Sequence, residues 1–169
     1  MKRYTSVQVP NVISDEVIML SRRWTPAAMP APVGRYSHLA EVPEGYTLVF
    51  VSGQVGNFRD GSLVGPDALS QTRQVFANLQ TAFEELGATP RDLVKLLTFV
   101  AGTNHLPGFY AAREEVFADW YPDGDVPAHS LAVVSALASP ELTVEVEAVV
   151  ALRNGSTRSA AERGDESGS

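Results

Sequence analysis

The chain contains no cysteine. That excludes disulfides, thiolate-bound zinc and cysteine nucleophiles together. Histidine is almost as scarce: His38, His105 and His129 are the only three, and none stands at helical or alternate-residue spacing to another. A histidine metal site would need all of them to converge from distant loops, so no metal is expected. No run approaches the roughly 18 apolar residues of a membrane span. The N-terminal MKRYTSVQVPNV lacks a hydrophobic signal region, so the expectation is a cytoplasmic protein with no membrane partner. Basic charge is in deficit, with 13 Lys and Arg against 20 Asp and Glu, a net charge of −7. An acidic surface repels phosphate backbones, and no basic stripe interleaved with aromatics offsets it, so no nucleic-acid partner is expected. There is no glycine-rich phosphate loop and no internal repeat.

What is present reads as one domain: 169 residues, 44% of them apolar, suffice for a single proper core. Residues 1–24 are weakly patterned and are expected to form an N-terminal arm or an extra strand. Residues 25–152 form the domain. Residues 153–169, RNGSTRSAAERGDESGS, bury too little apolar surface to offset their ordering entropy and are expected to be a disordered tail. Within the domain, the proline-rich TPAAMPAPVGRY (25–36) is a loop. TLVFVSG (47–53) is a strand, followed by a turn at Asp60-Gly61 and a helix start at Pro66-Asp67. Val75, Phe76, Leu79, Ala82, Phe83 and Leu86 then fall on one face of a long helix closed by Gly87. LVKLLTFVAG (93–102) is a strand, and 107–121 is a second amphipathic helix. HSLAVVSAL and LTVEVEAVVAL are strands joined by the polar break Ser139-Pro140-Glu141. The order β–α–β–α–β–β predicts an α+β domain with both helices packed on one face of a sheet.

Three places carry chemical groups. In LTVEVEAVVAL, side-chain alternation puts Glu145 and Glu147 on one face, about 6–7 Å apart. If that face is partly closed off, desolvation and mutual repulsion suit one carboxylate to proton transfer; otherwise both are ordinary surface glutamates. His129, at the mouth of an apolar strand in VPAHSLAVV, is either a hydrogen-bonded packing residue or a catalyst, and its spacing to Leu131 suggests a half-buried ring. Ser52, in VSGQVG, ends a strand with no helix after it, so it is not a nucleophile elbow.

Taken in order, SGQ after a strand, NLQTAFEELGATPRDLVKLLTFV, PAHS and VEVEA resemble the reactive-intermediate deaminase family (RidA or YjgF type, L-PSP endoribonuclease-like) from about Gly34 to Leu152. The resemblance implies a chorismate-mutase-like α+β subunit, a mixed β-sheet with two helices on one face, assembled as a homotrimeric barrel with a pocket at each subunit interface. It implies a small-molecule substrate, an imine or enamine of the 2-aminoacrylate type. Such a substrate is hydrolysed to a 2-keto acid and ammonia without metal or organic cofactor. Carried over by position, the water-activating glutamate is Glu145, the loop tyrosine is Tyr36 in GRY, Ser52 and Gly53 match the SGQ strand end, and Leu131 matches a pocket-lining position.

The family's PARS arginine, whose fork grips a substrate carboxylate, is His129 here. A neutral imidazole offers one donor and no charged fork. Three readings follow. The protein hydrolyses a related imine or enamine that lacks the α-carboxylate, not the usual 2-aminoacrylate, with Glu145 activating water and His129 as donor or acid. Alternatively another arginine substitutes, either Arg35 beside Tyr36 or Arg113 on the second helix. Or the pocket of a regulatory trimer binds a metabolite without catalysis, or runs a different acid–base reaction in a biosynthetic pathway.

Overall fold

The computed structural model describes residues 21–155. Two short strands come first, β1 (Arg22–Trp24) and β2 (Leu39–Glu41), paired antiparallel as a ribbon. The principal sheet holds β3 (Tyr46–Val55), β4 (Leu93–Ala101), β5 (Ala128–Val134) and β6 (Val144–Arg153), in the order β3-β6-β4-β5. β6 is antiparallel to both β3 and β4, whereas β5 runs parallel to β4, so the sheet is mixed.

The helices are α1 (Ala68–Leu86) and α2 (Leu106–Trp120). Asp67 begins α1, its carboxylate accepting the Ser70 N–H at 2.8 Å. Gly87 ends it at φ 64°, a left-handed conformation that glycine adopts without a Cβ penalty. Both helices lie on the face that carries Leu96 and Val100 of β4 with Val144, Val146, Ala148 and Val150 of β6. Phe76 and Phe83 from α1, and Phe109 and Phe117 from α2, complete that core. Among the described residues, no helix lies over the opposite face. Leu48 is exposed there, and Phe50 is 74% exposed.

Two long-range ties fix the frame around this core. The Arg23 guanidinium, in β1, donates to the carbonyls of Arg91, Leu93 and Asp125, pinning the ribbon to the start of β4 and the approach to β5. Gln71 of α1 is fully buried. Its amide donates to the carbonyls of Gly65 and Glu141 and accepts the Thr143 N–H at 2.9 Å, which sets where β6 begins.

The expected α+β architecture with two helices on one face is present, with three differences of detail. β5 stops at Val134, short of the expected 137, because its partner β4 ends opposite it at Ala101. The break at 139–141 does not form a hairpin; it carries the chain from the β5 edge past β4 into the centre of the sheet. Arg153, expected in the tail, is the last residue of β6, while residues 1–20 of the expected arm and 156–169 of the expected tail lie outside the described residues. Among the described residues, no helix is long and apolar enough to cross a membrane.

Candidate active site

His129 is the second residue of β5, at the sheet edge, and its ring turns towards the helices. Its Nε2 and the Thr98 Oγ1 are hydrogen-bonded at 2.8 Å, and its centroid is 6.3 Å from that of Phe109 on α2. Thr98 is itself fully buried on the helix-facing side of β4. Burial, with the nearby charges of Arg113 and Lys95 adding to it, pushes the His129 imidazole down to about 3. The ring is therefore neutral near pH 7. A neutral imidazole can still donate or accept a hydrogen bond.

The ring forms one wall of an open cavity of about 660 Å³ between the β5 edge and α2. Leu131 lies two residues further along the same wall. Opposite stand Tyr110 and Arg113 of α2, and the rim is the loop Gly34–Tyr36. That loop is held beside β5 by the Ser37 N–H, which donates to the Pro127 carbonyl at 3.1 Å. Four sequence-proposed residues, Tyr36, Arg113, His129 and Leu131, thus line one cavity. Tyr110 and Glu114 join them without having been anticipated, as does Thr98 behind the ring. A polar residue within LVKLLTFVA, on the strand face that is otherwise apolar, was the available signal for Thr98.

The two arginines differ. Arg35 donates through Nη2 to the carbonyls of Phe117 and Tyr121, both at 3.2 Å, and so closes the C-terminal end of α2. Arg113 is 7% exposed and lies over the rings of Phe109, Tyr110 and Phe117. Its Nη2 donates to Glu114 Oε1 at 2.7 Å.

Glu145 is elsewhere. It pairs in register with Phe99 and Val55, on the face away from the helices, because its neighbours Val144 and Val146 are the ones that enter the core. The β3–β6 register shifts between Val51 and Gln54, and Ser52 and Gly53 occupy that irregularity. The Glu145 side chain crosses directly over Gly53, so that a Cβ added there would land on the carboxylate. Glu145, Gly53 and the exposed Ser52 make a second group of proposed residues, separate from the cavity. Among the described residues of one chain, Glu145 does not line the cavity that His129 lines.

The chain as a whole is similar to known proteins. The model of the family described as Endoribonuclease L-PSP matches residues 26–152. A RutC family protein of Pyrococcus abyssi is 30% identical over 121 residues, covering 71% of this chain and 88% of the relative. Protein HMF1 of Saccharomyces cerevisiae is 30% identical over 125 residues, 74% of this chain and 90% of the relative. Among solved structures, a Yersinia pestis member of the conserved Rid protein family, YyfB, described as of unknown function, superposes with a TM-score of 0.69 at 37% identity, covering 79% of this chain and all of that one.

Proposed function

From the membership of this chain in the Endoribonuclease L-PSP family, the group of the RutC and Rid proteins, we propose that it is a cytoplasmic homotrimer that hydrolyses a small imine or enamine without a cofactor. Membership itself carries the coarser statement, a role in deamination or binding of small metabolites. The observation that supports the finer reading is the division of the site into two half-sites on opposite faces of one sheet. Each half is chemically incomplete alone. The cavity beside His129 has two guanidinium groups, Arg35 and Arg113, and its one carboxylate, Glu114, is held by both of them, while Glu145 lies on the opposite face of the sheet, away from that cavity. A second copy, laid against the bare face that exposes Leu48 and Phe50, closes both deficiencies at once.

In the completed site, the substrate occupies the cavity with its C=N carbon towards Glu145 of the neighbouring copy. The carboxylate takes a proton from water as the water oxygen bonds to that carbon and the C=N electron pair moves to nitrogen, which then takes that proton from the Glu145 carboxyl. In the resulting carbinolamine the hydroxyl gives its proton back to Glu145, which passes it to the amine nitrogen as the C–N bond breaks, leaving a carbonyl product and ammonia. The neutral His129 ring hydrogen-bonds the substrate's polar end. Proton transfer from a positioned base is worth about 10²–10⁴-fold.

The test is turnover of a panel of carboxylated and uncarboxylated imines by the wild type and by Glu145→Gln, with light scattering to establish the assembly. Equal rates for both proteins on every substrate, or a monomer, would overturn the reading. A His129→Arg variant that gains 2-aminoacrylate hydrolysis would show that position 129 sets substrate choice. Ligand-dependent thermal stabilisation without turnover would favour a metabolite-binding trimer instead. The net charge of −7 weighs against the ribonuclease activity named in the family description.

A further inference from the structure

The cavity beside β5 carries a charge balance unlike that of the whole chain. Two guanidinium groups, Arg35 and Arg113, line it against one carboxylate, Glu114, while His129 is neutral. A protein of net charge −7 therefore presents a locally positive pocket. Arg35 is committed to two helix-end carbonyls. Arg113 is not. Its side chain is about nine-tenths buried, and its Nε has no hydrogen-bond partner among the described residues. Its single anionic contact among the described residues is a carboxylate that is half in solvent and shared, at 3.4 Å, with Arg35.

The rings of Phe109, Tyr110 and Phe117, with centroids 5.0–5.8 Å from the guanidinium carbon, exclude water and hold the group in place without neutralising it. A buried guanidinium with an unused N–H is poised for an acceptor that the chain does not supply. We infer that Arg113, on the helix wall, holds the negatively charged group of this pocket's ligand, and that the ligand is a small organic carboxylate. A dianionic phosphate fits the site less well, because Glu114 leaves it only one net positive charge. Nε and Nη2 form one edge of the guanidinium, and Glu114 occupies only the Nη2 half. An incoming carboxylate therefore competes with Glu114 for that edge.

The inference rests on the reading of this cavity as the substrate half of the site, and it is tested by binding, independently of turnover. Propionate and butyrate are titrated into the full chain at constant ionic strength, with propionamide and butyramide as neutral controls. The carboxylates bind and the amides do not. Arg113→Gln loses roughly ten- to hundredfold in carboxylate affinity. Glu114→Gln, at a half-exposed position, gains affinity by removing the competitor, and it stays informative if the arginine variant folds poorly. Affinity stays level from about pH 8 to 5: Arg113 keeps its charge, His129 remains neutral, and Glu114 remains ionised although burial opposes it, because Arg113 and Arg35 hold its carboxyl below the usual range.

Equal carboxylate affinity in wild type and Arg113→Gln would overturn the inference. So would equal binding of the amides, no gain in Glu114→Gln, or affinity that climbs on acidification through the ordinary histidine range. Arg113-dependent carboxylate binding with no imine turned over would uphold the anchor and defeat the hydrolase reading. Imine turnover unaffected in Arg113→Gln would do the reverse.

Discussion

His129 and Glu145 stand on opposite faces of one sheet, the imidazole beside Phe109 of α2 and the carboxylate on the face away from both helices. A reaction that uses both must draw them from two copies of the chain. That geometry predicts complementation between inactive variants. In the proposed homotrimer, His129→Ala and Glu145→Gln should each be inactive alone. When the two are co-expressed, about a quarter of the interfaces join an intact His129 to an intact Glu145. The mixture therefore recovers about a quarter of wild-type turnover per site. No recovery would mean that the two groups do not meet across an interface.

Gly53 gives a second test, because its missing Cβ is what lets the Glu145 side chain lie where it does. In Gly53→Ala the added carbon displaces the flexible end of Glu145 rather than any backbone. Thermal stability should change by less than about 1 kcal/mol, while kcat falls towards that of Glu145→Gln. A variant with unchanged kcat would show that the position of the carboxylate over Gly53 is immaterial.

Strands and helices were legible in the sequence because their apolar periods are strong: the alternation of 144–150 and the three- and four-residue spacing of 75–86 are both realised. Sheet order was not, since alternation assigns faces within a strand but does not name the neighbouring strand. β6 enters between β3 and β4, and nothing in VEVEAVVAL announces it. For the same reason the two groups of candidate residues could be named residue by residue without revealing that they face apart. Arg113 was readable as an interruption. It lies between Phe109 and Phe117, on an otherwise apolar stripe of α2, where a charge is out of place unless it has work to do.

The depressed His129 pKa links to stability with a definite sign. The folded chain keeps the ring neutral down to about pH 3, whereas an unfolded histidine takes its proton near 6.5. Between those values the unfolded state binds the extra proton. Stability is therefore lost as pH falls below about 6.5, and from pH 7 to 5 this group costs at most about 2 kcal/mol. Urea unfolding at both pH values should show that difference shrink in His129→Gln, whose amide can still hydrogen-bond Thr98. An equal pH dependence in the two proteins would mean that the folded ring is already protonated at pH 5.

Gln71 ties the frame to the chemistry more tightly than its distance in sequence suggests. Its fully buried amide makes three hydrogen bonds to backbone, one of them to Thr143, two residues before Glu145. Gln71→Leu keeps the volume but leaves the carbonyls of Gly65 and Glu141 and the Thr143 N–H without that partner. Each such group costs about 1–3 kcal/mol when it stays buried, less where water reaches it, so a loss of about 3 kcal/mol in unfolding free energy is expected. Gln71→Glu separates hydrogen bonding from shape. A carboxylate still accepts from Thr143 but cannot donate to the two carbonyls, and burying its charge adds a penalty that grows as pH rises. Gln71→Glu should therefore be less stable at pH 8 than at pH 5, opposite in slope to the His129 effect, and chemical denaturation at both values separates the two contributions.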